Sequence, residues 1–321
     1  MITLGIESTA HTFGIGIAEN TKVVSNAFST FTPPKGKGYV PTEMADHHAS
    51  KAKEVLYSAL KDAGLSLKDI DLFGVATGPG IGTTLKIGVM LARYLSSYFK
   101  KPIVGVNHAY AHMKVGELMS KVKNPVFLYV SGGNTQILTE KNGKVVVHGE
   151  TLDIGVGNLF DSLARSLGLH SHGSALSSLA EGGSYIEMPY NVKGMNVAFS
   201  GMLTYAQRLI GREKAQDIAY SVMETAYAML CEASERALYL TKRKGLVVCG
   251  GVAQSKRLRS MLSSMCKEDG FKFGFAPDEF NRDNGAMIAL LSYLHFKKHG
   301  PTPLKGIAAE QNYRVEKVRC V

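Results

Sequence analysis

Nowhere in the 321 residues is there a C-x-x-C pair. The four cysteines, Cys231, Cys249, Cys266 and Cys320, are scattered. That argues against a thiolate zinc site or a disulfide framework and for buried, apolar thiols. No apolar run approaches the roughly 20 residues that a membrane-spanning helix needs. The N-terminal Met1-Ile2-Thr3-Leu4-Gly5 has no basic n-region and is followed by Glu7, so no signal peptide is expected. Low-complexity tracts are also missing. The expectation is a cytoplasmic protein with no membrane partner. Its 45% hydrophobic and 20% charged residues are ordinary for a globular chain long enough for two domains.

Negative charge is in short supply. Lys and Arg number 37 against 27 Asp and Glu, a formal net charge of +10. Nucleic acid is the commonest partner of such an excess. The basic residues fall in loop-like places: Lys35 and Lys37; Lys242, Arg243 and Lys244; Lys256, Arg257 and Arg259; Lys297 and Lys298. No zinc finger, basic helix or aromatic-interleaved RNA motif accompanies them, so charge alone leaves a solvated basic surface equally open.

What is present begins with Val106-Asn107-His108-Ala109-Tyr110-Ala111-His112. Imidazoles four residues apart stack on one face of a helix, one turn from each other, and both can point at one cation. The spacing is that of the zinc-protease H-E-x-x-H motif, but Ala109 stands where that motif needs its general base. Solvent-facing or carbonyl-bonded histidines remain the alternative to a metal clamp.

The strand patterns repeat. Residues 2–7, 13–18 and 22–28 read as a three-strand meander with Ser8-Thr9-Ala10-His11-Thr12 as a small-residue turn. Residues 126–130, 135–139 and 144–148 read as a second meander, with Ser131-Gly132-Gly133-Asn134 at the equivalent turn. Such turns present backbone N–H groups to an anion, and Ser8, Thr9 and Thr135 are expected to add hydroxyl donors. Two copies in register point to internal duplication. This is the architecture of a duplicated α/β, actin-like ATPase (ASKHA) fold, with two lobes around a nucleotide-binding cleft. Buried strands are expected at 72–77 and 246–249, and helices at 159–167, 217–242, 256–267 and 284–298. Gly250 and Gly251 close a strand where a purine or ribose can come close, though simple strand-to-helix packing gives the same pattern. Asp283, in Asn281-Arg282-Asp283-Asn284-Gly285, is either a helix N-cap or the carboxylate that a two-histidine metal site lacks.

The segments GIESTAHTFGIGI, GPGIGTTLKIG, VNHAYAH, YVSGGNTQIL, ETLDIGVGNLFDSLAR, YNVKGMNVAFSGMLT, GGVA and NRDNGAMIA span essentially the whole chain. In that order they resemble the motifs of the universal tRNA threonylcarbamoyladenosine synthesis family. That family is TsaD in bacteria and the catalytic subunit of the KEOPS complex in archaea and eukaryotes. The ESTAHTFGIGI start and the tyrosine before VSGGNT are similar to the archaeal and eukaryotic type.

The resemblance implies transfer of a threonylcarbamoyl group from threonylcarbamoyl-AMP to N6 of the adenosine 3′ of the anticodon, in tRNAs reading ANN codons, with release of AMP. It implies one divalent metal, iron favoured over zinc, and an adenylate ligand, threonylcarbamoyl-AMP or ATP. The implied metal ligands are His108, His112, Tyr129 and Asp283. Tyr129, Val130, Ser131, Gly132, Gly133 and Asn134 lie beside the metal and the adenylate phosphate. Asp161 and Gly173 match nucleotide contacts, and Gly250 and Gly251 the adenosine end. The implied lobes are residues 1–122, with a C-terminal return over 309–321, and 123–308. The implied partners are tRNA and KEOPS subunits: a small dimerisation subunit, an atypical kinase and an accessory subunit.

The chain departs from the family at two places. Ser171-His172-Gly173-Ser174-Ala175-Leu176-Ser177-Ser178 replaces a Pro-Gly-Gly-Pro turn and its carboxylate, with no acid before Glu181, and Gln254-Ser255 replaces Ala-Asn. Metal binding is expected to be kept and nucleotide affinity to be weaker. The other readings are a nucleotide-dependent binding or scaffold subunit of the same complex and, against the missing glutamate, a zinc-type endopeptidase.

Overall fold

The computed structural model describes residues 1–34, 38–169 and 173–321. The first half runs β1 (Ile2–Glu7), β2 (Thr12–Glu19), β3 (Lys22–Thr30), α1 (Pro41–Ala63), β4 (Leu72–Gly78), α2 (Gly82–Phe99), β5 (Ile103–Asn107) and α3 (His108–Ser120). The second opens with β6 (Val126–Val130), β7 (Thr135–Lys141), β8 (Lys144–Glu150), α4 (Val156–Ser166) and α5 (Gly173–Ala180). A small hairpin of β9 (Val192–Lys193) and β10 (Asn196–Val197) precedes α6 (Ser200–Leu209) and α7 (Ala215–Thr241). The last elements are β11 (Gly245–Cys249), α8 (Lys256–Glu268), β12 (Lys272–Phe275), α9 (Asp278–Asn281) and α10 (Gly285–His299).

The duplication anticipated from the meanders is present in the topology. One five-stranded sheet has the order β3-β2-β1-β4-β5 and the other β12-β11-β6-β7-β8, which is the same order read backwards. In each, the meander is antiparallel and two parallel strands extend it. Strand β1 is covered on both faces, so it reads as a near-continuous buried run rather than an alternation.

Two helices cross between the halves. Helix α3 leaves β5 of the first sheet and packs on β11 and β12 of the second. Helix α10, within the expected second lobe of residues 123–308, packs on β1, β2 and β4 of the first sheet. A central core cluster therefore mixes Val104, Met113, Phe127, Tyr129, Val247 and Ile288 from both halves. The tail of residues 309–321 runs the same way. Glu310 N–H bonds the Thr77 carbonyl (2.7 Å) and Cys320 N–H the Gly143 carbonyl (3.0 Å). Helix α10 approaches the first sheet at backbone distance: a Cβ on Gly16 would lie 2.1 Å from the Ala286 nitrogen.

The arginines of the expected basic clusters are engaged within the protein. Arg257 pairs with Glu224 through two 2.6 Å bonds, and Arg243 bonds the Asn124 carbonyl at 2.8 Å. Lys256, Arg257 and Arg259 lie on helix α8 rather than in a loop. Lys35 and Lys37 lie outside the described residues. Among the described residues no helix is long and apolar enough to cross a membrane.

Candidate metal centre

The Asn107 side chain accepts from the Tyr110 N–H (3.1 Å), and this cap starts α3 at His108. His108 and His112 then fall one turn apart on one face, with ring centroids separated by 4.8 Å. Asp283 comes from the junction of α9 and α10. Its Oδ1 lies 3.4 Å from His108 Nε2 and 3.3 Å from His112 Nε2. Asp283 is not the helix cap: Asn284 caps α10, its Oδ1 accepting from Met287 N–H at 2.9 Å. Its amide also donates to the Arg282 carbonyl (2.7 Å), which fixes the bend and turns the neighbouring Asp283 toward the histidines.

A residue outside the implied ligand set completes the arrangement. Glu7, fully buried at the end of β1, accepts from His108 Nδ1 at 2.9 Å. The Thr9 N–H (2.6 Å) and Thr9 hydroxyl hold its other oxygen. The available signal was an acid closing an otherwise apolar strand. A carboxylate on Nδ1 fixes the tautomer that leaves Nε2 bare for a metal. Burial opposes a proton on His108, but Glu7, Tyr129 and Asp283 overcome it and lift its pKa well above the usual value. Burial would raise the Asp283 carboxyl, yet the His108 charge and hydrogen bonds from both imidazoles hold it well below the usual range. Burial, together with the His108 charge, lowers His112.

The donor chemistry fits a divalent ion. Two imidazole Nε2 atoms and a carboxylate oxygen converge within 4.8 Å, the donor set of iron or zinc sites. The other His112 nitrogen, Nδ1, is buried with no partner among the described residues. Tyr129, the last but one residue of β6, lies against His112 with ring centroids 5.7 Å apart and is 1% exposed. Burial raises its phenol, and the His108 charge pulls the other way.

The turn after Val130 is braced internally. Ser131 N–H bonds the Asn134 carbonyl (2.8 Å) and Asn134 N–H the Ser131 hydroxyl (3.1 Å). The first amides of α4 are consumed by the same turn: Gly157 N–H bonds Ser131 O (3.2 Å) and Asn158 N–H bonds Gly132 O (2.9 Å). Within this turn the Gly132 and Gly133 amides make no backbone hydrogen bond among the described residues, and both residues are exposed. The hydroxyls expected to add donors are engaged or enclosed. Thr135 accepts from Val156 N–H (2.9 Å), Thr9 donates to Glu7, and Ser8 Oγ is buried against Gly88 without a partner. The two turns are thus unequal, the first closed around the metal-ligand support and the second open.

The first turn is also held from α1. His48 Nε2 donates to the Ala10 carbonyl at 3.0 Å, so its Nδ1 is bare and accepts from His47 Nδ1 at 3.2 Å. Burial, with help from cationic forms of His47 and His11, pushes the His48 pKa down to about 4. A depressed histidine adds stability that is complete above its unfolded value of about 6.5 and is lost as pH falls through about 4. The loss from this group is about 3 kcal/mol at most. Thermal melts between pH 7 and 4.5 are therefore expected to show a shallower acid slope for His48→Gln than for the wild type. Equal slopes would contradict the assignment.

Where the resemblance implies an adenosine contact, Gly250 has φ 95° and its missing Cβ would meet the Val130 carbonyl at 2.4 Å and the Tyr129 ring at 3.1 Å. Only glycine lets this strand end pass so close to β6. Gly251 is exposed, with no atom within 4 Å of a Cβ position. Ser255 caps α8, accepting from Leu258 N–H at 3.3 Å, and Gln254 donates to the Gly251 carbonyl at 3.2 Å. Asp161 sits one turn beyond Asn158 on α4, where burial lifts its carboxyl to about 6 against the opposing pull of Arg165. Gly173 opens α5, while Ser171 and His172 lie outside the described residues. The fold therefore gathers His108, His112, Asp283, Tyr129–Asn134 and Gly250 at one place, with Asp161 on the helix that braces the turn.

Comparison with known proteins identifies the family and the fold. The model of the family described as TsaD, tRNA N6-adenosine threonylcarbamoyltransferase, covers residues 22–290. A tRNA N6-adenosine threonylcarbamoyltransferase of Thermococcus sibiricus is 46% identical over 99% of both chains. A probable bifunctional tRNA threonylcarbamoyladenosine biosynthesis protein of Methanothermobacter thermautotrophicus is 44% identical over 99% of this chain and 60% of its own length. Among solved structures, component A of the Acidaminococcus fermentans (R)-2-hydroxyglutaryl-CoA dehydratase superposes with a TM-score of 0.57 at 14% identity. That match covers 92% of this chain and 98% of that one. The shared fold is the duplicated actin-like one.

Proposed function

The chain belongs to the tRNA N6-adenosine threonylcarbamoyltransferase family, and from that premise we propose that it transfers the group from threonylcarbamoyl-AMP to the adenosine 3′ of the anticodon at the His108–His112–Asp283 centre. The observation that carries this reading is the convergence of three ligand atoms beside Tyr129, three residues before the exposed Gly132–Gly133 pair. A bound divalent ion supplies Lewis-acid polarisation and orientation of the threonylcarbamoyl carbonyl.

The residues of the chain do the rest. His108, His112 and Asp283 hold the ion, with Tyr129 as a fourth ligand. Glu7 keeps His108 in the ligating tautomer. The Gly132 and Gly133 amides receive the adenylate phosphate. Gly250 and Gly251 give the adenosine room, and Asp161 and Gly173 contact the nucleotide. No nucleophilic side chain is required. The N6 amine forms the new C–N bond, the carbonyl–phosphate C–O bond breaks, AMP leaves with the electron pair and the amine gives up a proton. Unpaired anticodon bases enter such a cleft at low unstacking cost. The excess of ten positive charges serves the tRNA backbone.

Purified protein with its partner subunits, threonylcarbamoyl-AMP and unmodified tRNA should yield threonylcarbamoyladenosine, scored by mass spectrometry of nucleoside digests. Chelation and His108→Ala should each remove the product. Wild-type yield from His108→Ala sinks the metal reading. Metal analysis of anaerobically purified protein assigns iron or zinc, iron being the expected ion.

The partner subunits belong to a KEOPS-type cytoplasmic assembly of a small dimerisation subunit, an atypical kinase and an accessory subunit. Helix α2 supports a docked helical partner. Met90, Tyr94 and Tyr98 recur every four residues and are 66%, 61% and 67% exposed. Tyr98→Glu is expected to abolish co-elution with the dimerisation subunit and leave the melting temperature unchanged. Unaltered co-elution removes this face from consideration.

A further inference from the structure

The side chain of Arg259, on α8, reaches two places at once. Its Nε donates to the Ala253 carbonyl at 2.5 Å, in the segment that follows Gly250 and Gly251. Its Nη2 donates to Asp278 Oδ1, at the start of α9, five residues before Asp283. The guanidinium lies over the Phe275 ring, Cζ 4.0 Å from the centroid, and the side chain is only 14% exposed. From α9 the path to the candidate ligand is short and bonded. The Asn284 amide donates to the Phe280 carbonyl (3.3 Å) and the Arg282 carbonyl (2.7 Å), bracketing Asp283. Asn281 donates to the Ala276 carbonyl at 2.5 Å.

We propose that Arg259 is a positioning residue that ties the adenosine loop to the metal-ligand bend, so that AMP and the metal each strengthen the other's binding. The inference rests on the adenylate and metal assignments above. A planar fork with two fixed N–H directions sets the distance between two backbone segments, which a flexible ammonium does not. The Phe275 ring covers one face of the fork and limits water's access to both bonds. Seating an adenosine against 250–253 orders the Ala253 carbonyl, hence Arg259, hence α9 and the position of Asp283. Because coupling is a free energy shared between two sites, the two affinities must change by the same factor.

The test uses Zn2+ and AMP with the full chain. The Zn2+ dissociation constant is measured by dye competition with and without saturating AMP, and the AMP constant by calorimetry with and without Zn2+. Wild type should show equal factors of roughly 5 to 100 in the two directions. Arg259→Lys and Asp278→Asn should bring both factors to within twofold of unity with each ligand still bound. Asp278 is largely exposed, so its variant folds even if the arginine variant does not. Wild-type factors of one, or full coupling retained in both variants, overturn the proposal and leave the proposed function standing. Failure of the wild type to bind Zn2+ or AMP at all overturns the functional reading, and this proposal with it.

Discussion

Asp283→Asn is expected to strip the metal from the purified protein and reduce threonylcarbamoylation of tRNA by about a thousand-fold or more. Among the described residues the carboxylate is the single anion facing both imidazole Nε2 atoms, 3.4 and 3.3 Å away. An amide of the same shape leaves two neutral imidazoles, the Tyr129 phenol and a weak carbonyl donor. Loss of metal polarisation removes several kcal/mol of transition-state stabilisation, and about 4 kcal/mol is a thousand-fold. The fold should survive, because Asn284 and not Asp283 caps α10. Glu7→Gln acts one bond further out. It leaves the ligand atoms in place and is expected to weaken metal affinity by about 10- to 100-fold, with partial recovery of product at high metal. Metal per chain by elemental analysis and product by mass spectrometry report on both. Wild-type metal content in Asp283→Asn, with product within threefold of wild type, rules out this centre.

Gly16→Ala is the second large effect, and it is on stability. The added methyl would lie 2.1 Å from the Ala286 nitrogen and 2.4 Å from its Cα, both backbone atoms of a buried helix. No side chain can swing aside, so β2 or α10 must shift. Overpacking of this kind costs about 3 kcal/mol or more, a fall in melting temperature on the order of 4–5 °C or more for a chain of this length. The strain also reaches the site, since Asn284 and Asp283 sit at the same end of α10. Gly201→Ala serves as control: it lies in helix α6 with nothing within 4 Å of its Cβ position. That change should be neutral or stabilising by up to about 1 kcal/mol. A Gly16→Ala melt within a degree of wild type would mean that α10 does not pack as described.

The strands of both meanders and the one-turn spacing of His108 and His112 were legible because local periodicity sets them. Side chains alternate along a strand and return after about 3.6 residues along a helix, whatever the rest of the chain does. The glycine turns were legible too, but not their inequality. Whether Ser8, Thr9 and Thr135 face a ligand or the interior depends on what packs over them, and Gly88, Glu7 and the start of α4 come from other parts of the chain. The choice between cap and carboxylate at Asp283 had the same character. Adjacent Asp283 and Asn284 are both good caps, and only the direction in which α10 leaves decides which side chain turns back.

By itself, then, the sequence determined a duplicated α/β chain and a pair of histidines on one helical face, joined to a family by ordered motifs along its length. The tertiary structure decided which side chains those histidines meet. It brought Glu7 to His108 across 101 residues of chain and Asp283 to His112 across 171. It did so by packing α3 and α10 across both sheets. Contacts of that range leave no periodic trace in a sequence, because they are set by which buried faces meet and not by the spacing of neighbours.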